Sequence, residues 1–276
     1  MRAPLTTAVA VACMISVGFS VLNATEKSKP AAEPSKEPSL QPNEDTEDTE
    51  QSQDEVADSS VGLPDKFAKE YLISRKTISP DKRFAVIYPT LEAEEAADES
   101  NHSERIKNYL VALQPFAVIK SLDTQWPYFQ NENHGGLSAE WSDDSSVALI
   151  TLDAKWGPRD VFLVEFHDAK LSRITNIARK AHDLLLPNYR KARAERYNDL
   201  FDFVFVEDTT FKLEGTSRVV IDAAAETSPN IMSEDLGPTN RAWRGHVEAV
   251  WDIAQAKFIS QKVSGGLRKR SKSTSD

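Results

Sequence analysis

The chain has 276 residues and carries 33 Lys and Arg against 43 Asp and Glu, which gives a formal net charge of −10. This acidic balance argues against nucleic acid as a bulk partner, because phosphate contacts need an excess of cations. Cys13 is the single cysteine, so a chain cleaved after Ala24 has no disulfide, no thiolate chemistry and no cysteine-based zinc site.

The first 24 residues are typical of a secretory signal peptide. Arg2 supplies a short positive region, residues 5–22 form an apolar run, and Ala24 ends a tolerable cleavage site. The alternative is an uncleaved N-terminal anchor, because this run approaches the ~20 residues that span a bilayer. We therefore expect an exported protein, periplasmic or secreted, which is either free or tethered to the membrane through its N-terminus.

Three further segments follow the signal or anchor. Residues 25–60 have a proline at every fourth position from Pro30 to Pro42 and then an acidic run. This composition predicts a disordered linker, since it offers too little apolar surface to offset the entropy of ordering. Residues 61–264 are expected to form a β-rich globular domain, and residues 265–276 a basic disordered tail.

The predicted domain contains the same pattern three times, over residues 78–122, 141–177 and 212–263. Each copy begins with a polar turn, continues into a short run of strand-forming residues and ends, after an insertion, in a hairpin. Asp144 lies in the second of these turns and is interpreted as a turn residue. The pattern predicts a mainly β fold, an antiparallel meander of about three blade-like units with helical insertions. A single α+β domain is the alternative.

The stretches "SPDKRFAVI" (79–87), "WSDDSSVALI" (141–150) and "VEAVWDIAQAKFIS" (247–260) carry a family resemblance. They resemble the repeat units of WD40-like β-propellers, which also start a strand after a polar turn and end in a hairpin. The resemblance covers about half of the predicted domain and implies blade-like sheets. Three units are fewer than the four to eight blades of a closed propeller. We therefore expect an open assembly, or a ring completed by neighbouring chains.

Three insertions have helical character. Residues 63–74 predict a short helix that starts at Pro64, and residues 91–107 an exposed loop with helical tendency. Residues 178–203 predict the longest helix, broken at Pro187. The segment 179–196 is rich in Lys and Arg, so it could meet an anionic surface such as lipid head groups, or it could be an ordinary solvated helix face.

The sequence contains none of the nucleophile-elbow, nucleotide-binding or His-Glu-x-x-His motifs. His246 and Glu248 would share one face of a strand, but zinc needs a third ligand that the sequence does not indicate. We therefore predict no catalytic residue, no metal and no cofactor.

Two loops are the candidate binding surfaces. The first, residues 125–141, places Trp126 and Tyr128 near Asn133 and His134, and aromatic rings beside amide groups suit a glycan or a peptide. Its alternative role is to plug the end of a β core.

The second loop, residues 153–160, contains Lys155, Trp156 and Arg159. A cation over an indole ring and an exposed Arg are features that protein interfaces favour. The alternative is a structural turn in which Trp156 folds back on the sheet.

These observations favour a non-catalytic exported β-rich domain that binds a protein or an envelope polymer. The alternative is an envelope hydrolase that uses loop carboxylates such as Asp143, Asp144 or Asp153. That reaction needs two carboxylates ~5–9 Å apart around a cleft.

Overall fold

A computed structural model describes residues 62–99, 106–124, 126–193, 203–227 and 242–267. The predicted mainly β fold is confirmed, with three antiparallel sheets and few helices. The predicted signal peptide, the linker and most of the tail lie outside the described residues. Among the helices of the described part, none is long and apolar enough to cross a bilayer.

Each sheet contains a meander of four strands that follow one another in the chain, and sheet 3 has a fifth strand outside its meander. Sheet 1 consists of β1 (Tyr71–Ile73), β2 (Phe84–Pro89), β3 (Tyr109–Leu113) and β4 (Phe116–Ser121). Sheet 2 consists of β5 (Gly136–Trp141), β6 (Val147–Ala154), β7 (Gly157–His167) and β8 (Lys170–Asn176). Sheet 3 consists of β10 (Thr210–Glu214), β11 (Arg218–Thr227), β12 (Trp243–Asp252) and β13 (Lys257–Leu267), and the short β9 (Phe203–Phe205) also pairs with β11. The three predicted repeats therefore correspond to the three sheets.

The turn before β6 is held by the side chains that the sequence indicated. Ser142 Oγ donates to Asp144 Oδ1 (2.7 Å) and accepts the backbone N–H of Val147 (3.0 Å). The backbone N–H of Ser146 also donates to Asp144 Oδ1 (3.0 Å). Asp144 is thus a turn residue, and its bonds stay within the turn.

The turn before β2 repeats this arrangement 63 positions earlier. Ser79 Oγ donates to Asp81 Oδ1 (2.7 Å) and accepts the backbone N–H of Phe84 (3.0 Å). The backbone N–H of Arg83 donates to Asp81 Oδ1 (3.0 Å). Sheets 1 and 2 therefore begin their second strands with the same hydrogen-bonded turn.

Sheet 2 is the middle layer of the domain. The side chains of β6 alternate between two cores, so that Ala148, Ile150 and Leu152 face sheet 1 while Val147 and Leu149 face sheet 3. This near-continuous apolar strand is what burial on both faces requires. A third, smaller core lies on the other face of sheet 1.

The longest helix, α3 (Ile177–Arg193), packs against β7, β12 and β13. The predicted break at Pro187 is wrong, because the helix continues through this residue. Ile177, Ala181, Leu185 and Tyr189 are buried on one stripe, at a spacing of four residues, and hold both halves on the core. Pro187 itself is exposed.

The other helices are short. The predicted helix over 63–74 is wrong beyond its first turn, because α1 covers only Asp65–Ala68 and β1 follows. Tyr71 pairs with Pro89 there, so pairing with β2 prevails over helix propensity. The second insertion forms α2 (Leu91–Glu99). At the other end, β13 extends three residues beyond the predicted domain end at 264, since Gly265–Leu267 pair with Trp243–Gly245.

The outer face of sheet 3 is polar. Asp222 Oδ1 lies 2.5 Å from His246 Nε2, Arg244 Nε donates to Glu226 Oε1 (2.6 Å), and Lys262 Nζ donates to Glu248 Oε1 (3.0 Å). These pairs join neighbouring strands across the face that points away from sheet 2.

Candidate binding cleft

The two loops predicted as binding surfaces meet at one cleft of about 600 Å³, which we call the loop cleft. His134 and Gly135 come from the first loop, and Asp153 and Lys155 come from the second. The opposite wall is contributed by the segment before and at the start of β10, at positions Glu207, Thr209, Thr210 and Phe211.

The order of the strands explains this meeting. The first loop precedes β5 and the second follows β6, and these two strands are antiparallel neighbours. Gly136 therefore lies directly opposite Asp153. In an antiparallel pair, the start of one strand and the end of the next reach the same edge of the sheet.

Lys155 lines the loop cleft, and Trp156, the next residue, lies beside the cleft without lining it. The side chain of Trp156 is 37% exposed, and Lys155 Nζ lies 4.9 Å from the centre of its ring. The predicted cation–π pair is therefore present, and the indole is not folded away on the sheet. The next residue, Gly157, has a φ of +149°, and a Cβ here would lie 2.8 Å from the carbonyl oxygen of Phe205. Only glycine allows the backbone at position 157 to approach β9 so closely.

The sequence predicted an exposed Arg159, but the structure shows its side chain partly buried, where it links the two loops. Leu152 pairs with Asp160 and Asp153 pairs with Pro158, so Arg159 is the extra residue of a β-bulge. Its side chain is only 19% exposed and its Nη1 lies 3.6 Å from Glu132 Oε1. The bulge therefore aims this guanidinium at the first loop and links the two loops.

Three carboxyl groups surround Arg159 in a partly buried setting. Burial raises the pKa of Glu132, Asp153 and Asp160, and the positive charge of Arg159 opposes each increase. Asp160 also accepts a hydrogen bond from Asn176 Nδ2 (2.7 Å), which lowers its pKa in part. The loop cleft is thus backed by carboxyl groups whose charge is only partly compensated.

A second cleft of about 410 Å³ lies beyond Pro158, which lines both clefts. Its walls include Arg159, Asp160 and the start of α3. The ring of His182 stacks flat on Phe203 there, with 4.1 Å between the ring centroids. This second cleft combines cations, carboxylates and an aromatic wall.

The remaining predicted residues are not part of the loop cleft. Tyr128 is a core residue and not a surface contact, because its ring packs 5.1 Å from that of Tyr88 and only 7% of it is exposed. Asn108 fixes its backbone through two hydrogen bonds of 2.7 and 2.8 Å. Trp126 is 61% exposed, and Asn133 is exposed, but neither lines the cleft.

The carboxylates of the hydrolase hypothesis are not brought together. Asp144 precedes β6 and Asp153 lies near its far end, and the strand from Val147 to Asp153 alone spans about 20 Å at ~3.3 Å per residue. Asp143 is exposed in the same turn as Asp144. Hydrogen bonds from Ser142 and Ser146 lower the pKa of Asp144, as expected for a turn carboxylate that stays ionised.

Within the described ranges, no group of three or more His, Cys, Asp or Glu side chains is placed to hold a metal ion. The surroundings of His246, the histidine that the sequence placed beside Glu248, do not form such a group. Its Nε2 faces Asp222 (2.5 Å), whereas its Nδ1 faces Glu248 (3.9 Å). The two carboxylates therefore lie on opposite sides of the imidazole and cannot share one ion with it.

Comparison with protein-family models and with curated proteins finds no match for this chain. The site residues that sequence reasoning missed are Glu132, Asp160 and the segment 207–211. Glu132 and Asp160 belong to the two loops already singled out, so their charge was a usable signal. The approach of residues 207–211 from sheet 3 had no signal in the sequence, because it depends on how the sheets stack.

Proposed function

We propose that the chain is a non-catalytic, exported binding module whose loop cleft contacts a protein or an envelope polymer. The observation that carries the proposal is the meeting of the two loops at one cleft, with the exposed Trp156 next to Lys155 in its wall. Export is supported by Arg2 and the apolar run of residues 5–22.

The chemistry of the cleft suits a partner with both flat apolar and polar groups. Trp156 offers an apolar face, and Lys155 adds a positive charge beside it. Thr151, Thr210 and His134 supply hydroxyl and imidazole groups along the walls. A cleft of this volume is within the range of ligand sites, and its open rim allows a chain to pass through it.

The experiment places a photo-activated cross-linking residue at position 156 of the exported protein. A control protein carries the same residue at position 259, because Ile259 is also a large exposed side chain, at 44%, and lies on β13 away from the cleft. We expect a partner that is recovered from position 156 and not from position 259. Recovery of the same molecules from both positions would contradict a specific site at the cleft.

The recovered partner is then tested with purified variants. Trp156→Ala together with Lys155→Ala should weaken binding by about tenfold or more, since central aromatic and cationic contacts dominate interfaces. Ile259→Ala should leave binding unchanged, and both variants should keep the melting temperature of the parent. Equal affinity of the cleft variant and the parent would remove the cleft from the proposal.

A further inference from the structure

The outward side of α3 carries two pairs of cations. Arg179 and Lys180 lie in its first turn, and Arg190 and Lys191 lie in its last turn. All four side chains are exposed, and we call them the cationic face. Asp183 is the acidic residue exposed between the two pairs.

The spacing of the pairs sets their geometry. Eleven residues separate Arg179 from Arg190 and Lys180 from Lys191, and eleven residues are slightly more than three helical turns. The second pair therefore points in nearly the same direction as the first, about 16 Å further along the axis. The four cations form the corners of an elongated patch and do not converge on one point.

The helix holds this patch rigidly. The opposite stripe, which contains Ile177, Ala181, Leu185 and Tyr189, is buried to 1% exposure or less. The positions of the charges are thus fixed by the core.

Three of the four cations of this face remain available to a partner, whereas the charge of Arg179 also acts on Asp160 in the second cleft. Across the described residues, no ion pair joins Lys180, Arg190 or Lys191 to a carboxylate. The outer face of sheet 3 differs, because its Arg244 and Lys262 are neutralised by Glu226 and Glu248. On a chain with a net charge of −10, a cationic patch of this kind orients the molecule in the field of an anionic surface.

We propose that the cationic face docks on the head groups of an anionic lipid surface. An extended patch with two separated pairs of cations matches an array of head groups better than a single anion, which would need converging donors. Each cation held close to such a surface raises the affinity by about fivefold. This proposal does not depend on the loop cleft or on its ligand.

The test is acylation footprinting of lysines in the full chain, with vesicles of phosphatidylglycerol and phosphatidylcholine compared with vesicles of phosphatidylcholine alone. Insertion of residues 5–22 would bring the protein to both kinds of vesicle, so the difference between them reports the head-group charge. We expect Lys180 and Lys191 to be protected on the anionic vesicles and not on the neutral ones. Lys212 and Lys257, which are exposed on sheet 3, should react equally on both.

A matched pair of variants completes the test. Arg179→Gln with Arg190→Gln should lower the affinity for anionic vesicles by about 25-fold, by the same fivefold factor for each cation, and abolish the protection of Lys180 and Lys191. Lys212→Gln with Lys257→Gln makes the same change in net charge and should leave the protection intact. The proposal is overturned if Lys180 and Lys191 react equally on both vesicles. Protection by DNA or by an acidic peptide, without protection by vesicles, would also overturn it.

Discussion

At the scale of single residues, two serines with the same bonds form the turns that begin the second strands of sheets 1 and 2. Ser142 Oγ donates to the carboxylate of Asp144 and accepts the N–H of Val147, and Ser79 does the same with Asp81 and Phe84. Both serines are buried. Each hydroxyl therefore satisfies a backbone donor that water reaches poorly.

We expect Ser142→Ala to lower the free energy of unfolding by about 1–3 kcal/mol, because it leaves the N–H of Val147 without its acceptor. Ser146→Ala is the matched control, since its hydroxyl bonds to Asp144 at an exposed position. The control should cost less than about 0.5 kcal/mol. Urea titrations of the two variants measure the difference, and equal losses would contradict the role given to Ser142.

The carboxyl group of Asp153 gives stability a pH dependence. Burial raises its pKa, so the folded protein binds this proton more tightly than the unfolded chain does. The free energy of unfolding therefore falls as the pH rises through the folded-state pKa of Asp153. Below the unfolded-state pKa the group is protonated in both states and has no effect. Asp153→Asn should raise the melting temperature at pH 7 and leave it unchanged below about pH 3. Solvent screening keeps the gain under about 1 kcal/mol.

Asp144→Asn should have the opposite sign. Hydrogen bonds lower the pKa of Asp144, so its ionised form stabilises the fold above the unfolded-state pKa and this stabilisation is lost as the pH falls through the folded-state pKa. The variant should have a lower melting temperature than the parent at pH 7, and this difference should disappear in acid. Melting curves of both variants between pH 3 and pH 8 test the pair. A melting-temperature difference from the parent that has the same sign for both variants at pH 7 would contradict these assignments.

At the scale of elements, α3 shows how packing prevails over propensity. Proline in a helix interior removes one hydrogen bond and costs about 3 kcal/mol. Leu185 and Tyr189 nevertheless hold the helix on the core on either side of Pro187. The ring of Pro187 faces solvent, so the core does not need it.

We expect Pro187→Ala to stabilise the protein by about 1–3 kcal/mol, because it restores a backbone donor and removes a clash with the preceding turn. Thermal unfolding followed by circular dichroism measures the change. Lys191→Ala, on the same exposed side of α3, is the control and should shift stability by less than about 0.5 kcal/mol. A destabilised Pro187→Ala variant would indicate that the fold requires a bend at this position.

The elements also show what could be predicted from the sequence. The alternating runs around Ile87, Ile150 and Ile221 and the Ser-x-Asp turns are local signals, and they predicted the meander correctly. The break at Pro187 was predicted wrongly, because the buried stripe that overrides it depends on distant sheets. The inward turn of Arg159 arises from a bulge, which is a matter of register and leaves no mark in the local pattern.

At the scale of the whole molecule, sheet 2 couples its two neighbours. Ile150 belongs to the core shared with sheet 1, and Leu149, the adjacent residue, belongs to the core shared with sheet 3. Trp141 Nε1 also donates to the carbonyl oxygen of Thr77 (3.0 Å), and the N–H of Leu213 donates to Glu140 Oε2 (2.9 Å). Each outer sheet therefore shares a large core with the middle one, and sheet 1 has a smaller core of its own on its other face.

We therefore expect the three sheets to unfold in a single transition. Leu149→Ala and Ile150→Ala should each lower the free energy of unfolding by about 2–5 kcal/mol, the usual cost of truncating a fully buried side chain. Circular dichroism and tryptophan fluorescence should give the same midpoint in each variant. Separate midpoints for the two probes would show that one sheet unfolds by itself.

The ion pairs on the outer face of sheet 3 determine where the series of sheets stops. Another sheet laid against that face would remove Asp222, Arg244, Glu248 and Lys262 from water, and ions lose several kcal/mol each when they are desolvated. Terminal units of repeat proteins carry polar outer faces for the same reason. The polar outer face of sheet 3 thus disfavours the packing of a further sheet on that side of the described domain.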